Sequence, residues 1–118
     1  MQSFKKDKLL VHVLANRQEL GKQSAQLVGE KIIALAAQQE TINIIFAAAP
    51  SQNEFLAALV QSAGIDWTKI NAFHMDEYIG LPDGSRQSFG RFLRERLFDK
   101  IPFASVNYIS STAKDITE

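Results

Sequence analysis

Phe73-His74-Met75-Asp76-Glu77-Tyr78-Ile79-Gly80-Leu81-Pro82 joins the end of an apolar run to a carboxylate pair and then to a Gly/Pro turn. The run from Lys69 to Met75 has the length and composition of a strand, and it ends at Asp76. An acid pair at the carboxyl end of a buried strand is where an α/β protein can place a proton-transfer group. The fold therefore depends on whether the flanking sequence supplies further strands with helices between them.

It does so on both sides. Residues 9–15 read as a buried strand, and Asn16 with Glu19 three positions on forms a capping-box-like pair. The helix that follows is predicted to run to about Gln39, with Leu20, Leu27, Val28, Ile32, Leu35 and Ala36 as its buried stripe. Ile42 to Ala49 reads as a second strand, apolar without alternation, which suits a parallel strand covered on both faces. Pro50 stops that strand, and Ser51 with Glu54 makes a second capping box. A helix from about Gln52 to Ala63 would bury Phe55, Leu56, Leu59 and Val60, with Gly64 ending it. Trp67 lies in the next connection.

Beyond the quoted stretch, Pro82-Asp83-Gly84-Ser85 reads as a turn. A helix from about Gln87 to Asp99 places Phe89, Phe92, Leu93 and Leu97 inside and turns Arg91, Arg94 and Lys100 towards water. Val106 to Ile109 reads as a fourth strand. This alternation predicts an α/β fold over residues 1–118 as a single domain: a three-layer, largely parallel, Rossmann-like sheet flanked by helices and incomplete as it stands.

Composition narrows the function classes. The chain has 118 residues, 46% hydrophobic, enough for a core. Its formal net charge is +0, without the basic stripe that nucleic-acid binding needs. No apolar run approaches the roughly 20 residues of a membrane span. The basic start before residue 9 leads into an apolar stretch interrupted by His12, so a strand is preferred there over a signal peptide. There are no cysteines, which excludes disulfides and thiolate metal sites and fits a cytoplasmic protein. The spacing of His, Asp and Glu supplies no metal-ligand set.

Two readings stand for each candidate residue. Asp76 is either a base that removes a proton next to a carbonyl, or a turn cap. Neighbouring side chains of an extended segment point to opposite faces, so only one of Asp76 and Glu77 would enter a pocket. The other would bind a backbone amide or an arginine. Ser51, Gln52 and Asn53 stand at a helix N-terminus, where free N–H groups can receive a phosphate or sugar hydroxyl; plain capping by Ser51 is the alternative. His74 and His12 read as packed, hydrogen-bonded residues. Arg86 reads as a solvated loop arginine with an anionic substrate as the alternative. Trp67 and the phenylalanines read as core.

The quoted stretch, followed by Ser88-Phe89 and Phe92, resembles the Met-Asp-Glu-Tyr-x-Gly-Leu segment of the glucosamine-6-phosphate deaminase (isomerase) family, related to the 6-phosphogluconolactonases. Tyr78 and Gly80-Leu81 favour the deaminase branch, since the lactonases usually carry Arg after Asp-Glu. The order of elements over nearly the whole chain resembles that family's N-terminal half. The resemblance implies that Asp76 is the base that moves a proton between C1 and C2 of an open-chain sugar phosphate. Glucosamine 6-phosphate and water would give fructose 6-phosphate and ammonia through an enolamine, with no organic cofactor and usually no metal. Substrate contacts are expected from Ser51, Gln52 and Asn53 at the helix N-terminus and from Glu77.

One departure is plain. Many family members carry a Gly-rich Thr-Gly-Gly-Thr/Ser-Pro type loop after the second strand, where this chain has Ala47-Ala48-Ala49-Pro50-Ser51-Gln52-Asn53. Alanine restricts the close backbone approach to phosphate that glycine allows. The expected function is a sugar-phosphate isomerase/deaminase acting on a small-molecule sugar phosphate, with no nucleic-acid or membrane partner and with a homo-oligomer left open. The alternatives are a non-catalytic sugar-phosphate-binding or regulatory domain of the same fold, and an inactive fragment.

Overall fold

The computed structural model describes residues 1–82 and 84–112. The chain opens with β1 (Gln2–Lys6) and β2 (Leu9–Val13), an antiparallel hairpin in register from Gln2↔Val13 to Lys6↔Leu9. Asp7 takes φ 53° at the tip, a left-handed conformation that a short polar side chain tolerates. The hairpin is a sheet of its own. This corrects the expected buried strand over residues 9–15, because Leu9, Leu10 and Val13 are all exposed. Lys5, Lys6 and Lys8 around the turn masked the pairing of Phe4 with Val11 that the hairpin register makes.

α1 (Arg17–Ala36) begins at Asn16, whose side chain accepts from the Glu19 N–H at 2.9 Å. Its buried face is Gly21, Ala25, Gly29 and Ile32 rather than the full expected stripe. Val28, Leu35 and Ala36 pack partly against the core, while Leu20 and Leu27 are exposed. Small residues won because α2 comes very close: a Cβ on Gly21 would stand 2.7 Å from the Glu54 backbone carbon.

β3 (Ile42–Phe46) leads through Ala47–Ala49 into a 3₁₀ turn, Pro50–Gln52, and then α2 (Asn53–Val60). Ser51 does not cap α2, contrary to expectation. Pro50 starts the helical path early, so Ser51 already lies within the turn, and Glu54 is drawn instead to Arg17 at 2.9 Å. Leu56 and Leu59 are buried, with Phe55 and Val60 partly so. β4 (Ile70–His74) follows a 3₁₀ turn, Trp67–Lys69, capped by Asp66.

α3 (Phe89–Leu93) continues as one π-helical turn, Arg94–Phe98, in which the Asp99 N–H reaches the Arg94 carbonyl. The widened turn brings the consecutive residues Leu97 and Phe98 both into the core. β5 (Ser105–Asn107) closes the described elements, shorter and earlier than the expected strand at 106–109.

β3, β4 and β5 form a parallel sheet in that order, so the chain is α/β with a parallel three-stranded sheet and helices. Two crossovers stepping in one direction put their helices on one side when both have the usual hand. Accordingly Ile42, Phe46, Ile70 and Ala72 share a single buried cluster with Leu56, Leu59, Leu93 and Leu97. By alternation the opposite side carries Asn43, Ile45, Asn71, Phe73, Ser105 and Asn107. A side-chain ladder crosses it: Asn71 donates to Asn43 at 3.1 Å, Ser105 to Asn71 at 2.7 Å and Asn107 to Ser105 at 3.1 Å. Ile45 on that side is 65% exposed. A second helical layer is not found there among the described residues.

Candidate functional site

The parallel register pairs Phe46 with His74, and the Met75 N–H donates to the Phe46 carbonyl at 3.2 Å. The connection Ala47–Asn53 and the segment Met75–Glu77 therefore leave the sheet side by side, at the carboxyl ends of adjacent strands. This is the end of a parallel sheet at which ligands bind.

The acid pair divides here. Asp76 is exposed, with no hydrogen-bond or ion-pair partner among the described residues. The Glu77 side chain is only 3% exposed. Its Oε1 accepts from the N–H groups of Tyr78 and Phe89, both at 3.0 Å. Its Oε2 accepts from the Gly90 N–H at 2.9 Å and from the Ser88 hydroxyl at 2.7 Å. Burial works against the charged form, but these four donors together outweigh it and hold the carboxyl below its ordinary value. Glu77 thus satisfies the first free amides of α3, assisted by Ser88, whose Oγ also accepts from the Arg91 N–H. A contact to substrate is expected of Glu77; in the structure its two oxygens accept from four internal donors, and the residue also borders a cavity.

His74 stands beneath this cap, as the packed histidine expected from the sequence. Its Nδ1 accepts from the Ile109 N–H at 3.2 Å, which places the ring proton on Nε2. Nε2 lies 3.4 Å from Glu77 Oε2 and is buried without a hydrogen bond. Gly90 allows the close approach: a Cβ there would stand 3.2 Å from His74 Cε1 and 3.3 Å from Glu77 Oε2. Sequence reading missed Ser88 and Gly90 in this role. The available signal was Ser88 as an N-cap, one position inside the predicted start of the helix.

Ser51, Gln52 and Asn53 do not share one direction. Ser51 and Gln52 line a cleft of about 330 Å³ with Arg17, Ser24, Glu54 and Phe55. Arg17 ties the loop down from that side, donating to the Pro50 carbonyl at 3.0 Å and to Glu54 at 2.9 Å. Asn53 faces α3, where its Oδ1 accepts from Arg96 Nε at 2.8 Å. The Arg96 guanidinium lies 4.0 Å from the Phe92 ring centre.

A second cavity, of about 390 Å³, runs from Glu77 and Ser88 past Arg91 and Arg94 to Tyr108 and Ser111. Arg91 is held there by Glu95 at 2.7 Å and by the Gly84 carbonyl at 2.9 Å. Among the described residues no three His, Asp or Glu side chains gather as metal donors, and no helix is long and apolar enough to cross a membrane.

No family model matches the chain. Curated relatives do. A glucosamine-6-phosphate deaminase of Streptococcus sanguinis is 31% identical over 101 residues, 86% of this chain and 40% of that protein. One of Yersinia enterocolitica is 29% identical over 111 residues, covering 89% of this chain and 42% of that protein. The chain thus spans about 40% of the length of the curated relatives it matches. Among solved structures, a monomeric glucosamine-6-phosphate deaminase superimposes with a TM-score of 0.73 at 17% identity, over 88% of this chain and 44% of that one. A 6-phosphogluconolactonase of Thermotoga maritima gives 0.74 at 23% identity, over 86% and 46%. At these identities the superpositions speak for the fold alone.

Proposed function

We propose, from a chain that is a relative of the N-terminal part of glucosamine-6-phosphate deaminases, that it carries the proton-transfer half of a sugar-phosphate isomerase/deaminase site, with Asp76 as the base. The observation that carries this reading is the unequal treatment of the acid pair. Glu77 is consumed by four internal donors, while Asp76, one residue earlier, is left exposed and unpartnered at the carboxyl end of the middle strand.

The chemistry follows from a carboxylate in that position. With an open-chain glucosamine 6-phosphate across the ends of β3 and β4, Asp76 takes the proton from C2 and a C1–C2 enolamine forms. The proton returns at C1. Water then replaces nitrogen at C2, giving fructose 6-phosphate and ammonia. The Ser51 hydroxyl and the Gln52 side chain, which line the cleft beside this loop, receive the phosphate or a sugar hydroxyl. Alanines 47–49 keep the backbone further from that group than glycines would.

Ammonia release from glucosamine 6-phosphate tests the reading. Turnover is expected for a protein containing this segment, and Asp76→Asn should lower it about 10²- to 10⁴-fold, the usual contribution of a general base. Because Asp76 is exposed and unpartnered, stability should stay within about 0.5 kcal/mol. An Asp76→Asn protein with undiminished rate would remove the base assignment. Thermal stabilisation by the sugar phosphate without turnover would instead favour a binding or regulatory domain.

A further inference from the structure

We propose that Glu77 is a positioning residue for Asp76, acting through the backbone it clamps to the start of α3. This rests on Asp76 being the base. Met75, Asp76, Tyr78, Ile79 and Gly80 are all exposed, and beyond Glu77 the segment is held further along, by the Tyr78 ring stacked on Phe89 at 4.9 Å and by the Gly80 N–H on the Ser111 carbonyl at 2.7 Å. Glu77 is the side chain in 75–80 that is almost fully buried, and it takes its own neighbour's amide, Tyr78 N–H, together with the amides of Phe89 and Gly90 and the hydroxyl of Ser88. Residues 11 to 13 positions apart are thereby tied to one carboxylate, and the backbone at 76 is fixed from its C-terminal side. From the N-terminal side it is fixed by Met75 N–H on the Phe46 carbonyl. Asp76 is held between these two anchors with its own side chain unspent.

The cluster is built for that carboxylate and tolerates little else. Gly90 has no Cβ to push it away, and His74 closes it from below with its Nε2 facing Oε2. An amide in place of the carboxylate would turn an NH₂ towards N–H and O–H donors on one side, so Glu77→Gln breaks the clamp while keeping the shape.

The test uses the 118-residue chain, isotope-labelled and followed by NMR. In Glu77→Gln the Asp76 backbone order parameter should fall from the rigid range, about 0.85, to below about 0.6. Core signals from Leu59, Ile70 and Leu97 should stay in place. The response of Asp76 to added glucosamine 6-phosphate should be lost while that of Ser51–Asn53 is kept. In turnover the same change should lower kcat by about tenfold or more with KM within about twofold, the signature of misplacement. Ser88→Ala, which removes one donor, should move Asp76 in the same direction by less and serves if Glu77→Gln does not fold. Unchanged order and unchanged kcat in both variants would overturn the proposal. A wild-type chain whose Asp76 ignores the sugar phosphate would count against the base assignment instead, and the order parameter would then decide the clamp by itself.

Discussion

Glu77 shows how a single carboxylate couples pH to local structure. Its carboxyl is held below the ordinary value of 4.5, so it contributes stability that is present above that value and lost as pH falls through the lower folded one. Glu77→Gln should therefore cost roughly 1–3 kcal/mol at neutral pH, the loss of charge-assisted hydrogen bonds to buried donors. The gap between wild type and variant should narrow as the pH is lowered below about 4.5. Urea melts of both proteins between pH 7 and 3 check this; a gap that stays constant with pH would contradict the role given to the charge. At this scale the sequence was legible up to a point. It located the acid pair at a strand end and implied that only one member would face a pocket. Side-chain alternation alone did not say which, and only the family resemblance favoured Asp76, because the donors that claim Glu77 sit on Ser88, Phe89 and Gly90, on another element.

Elements were legible where local signals had no competitor. Asn16 caps α1, Leu56 and Leu59 enter the core, and β3 and β4 start within a residue of their expected places. They failed where tertiary contact overrode a local rule. Glu54 completes no capping box because Arg17 claims it, and the expected stripe of α1 rotates because Gly21 must meet the backbone of α2. Gly21→Ala should accordingly push the two helices apart and destabilise by roughly 1–3 kcal/mol, the usual cost of overpacking, despite alanine's better helix propensity. A chemical denaturation midpoint checks it, and a stabilised Gly21→Ala protein would contradict the close approach. The hairpin of β1 and β2 was the largest miss: Asp7 in a left-handed turn was its signal, and the lysines around it concealed it.

For the whole molecule, alternation of strand and helix gave the fold class, and two crossovers of the same hand stepping in one direction account for α2 and α3 sharing one buried cluster. The unalternating run Ile42–Ala49 suits a strand covered on both faces, but the other side carries an amide and hydroxyl ladder beside an exposed Ile45. What matters for function is the consequence at the sheet's carboxyl end. The Ala47–Asn53 loop and Asp76 emerge together there, the loop with Ser51 and Gln52 on a cleft and Asp76 exposed without a partner among the described residues. If Asp76 moves a sugar proton, deuterium from D₂O enters the carbon chain of glucosamine 6-phosphate. That uptake should depend on the protein and fall at least about a hundredfold in Asp76→Asn. Uptake at the same rate in Asp76→Asn, or no faster with wild type than in buffer, would contradict it.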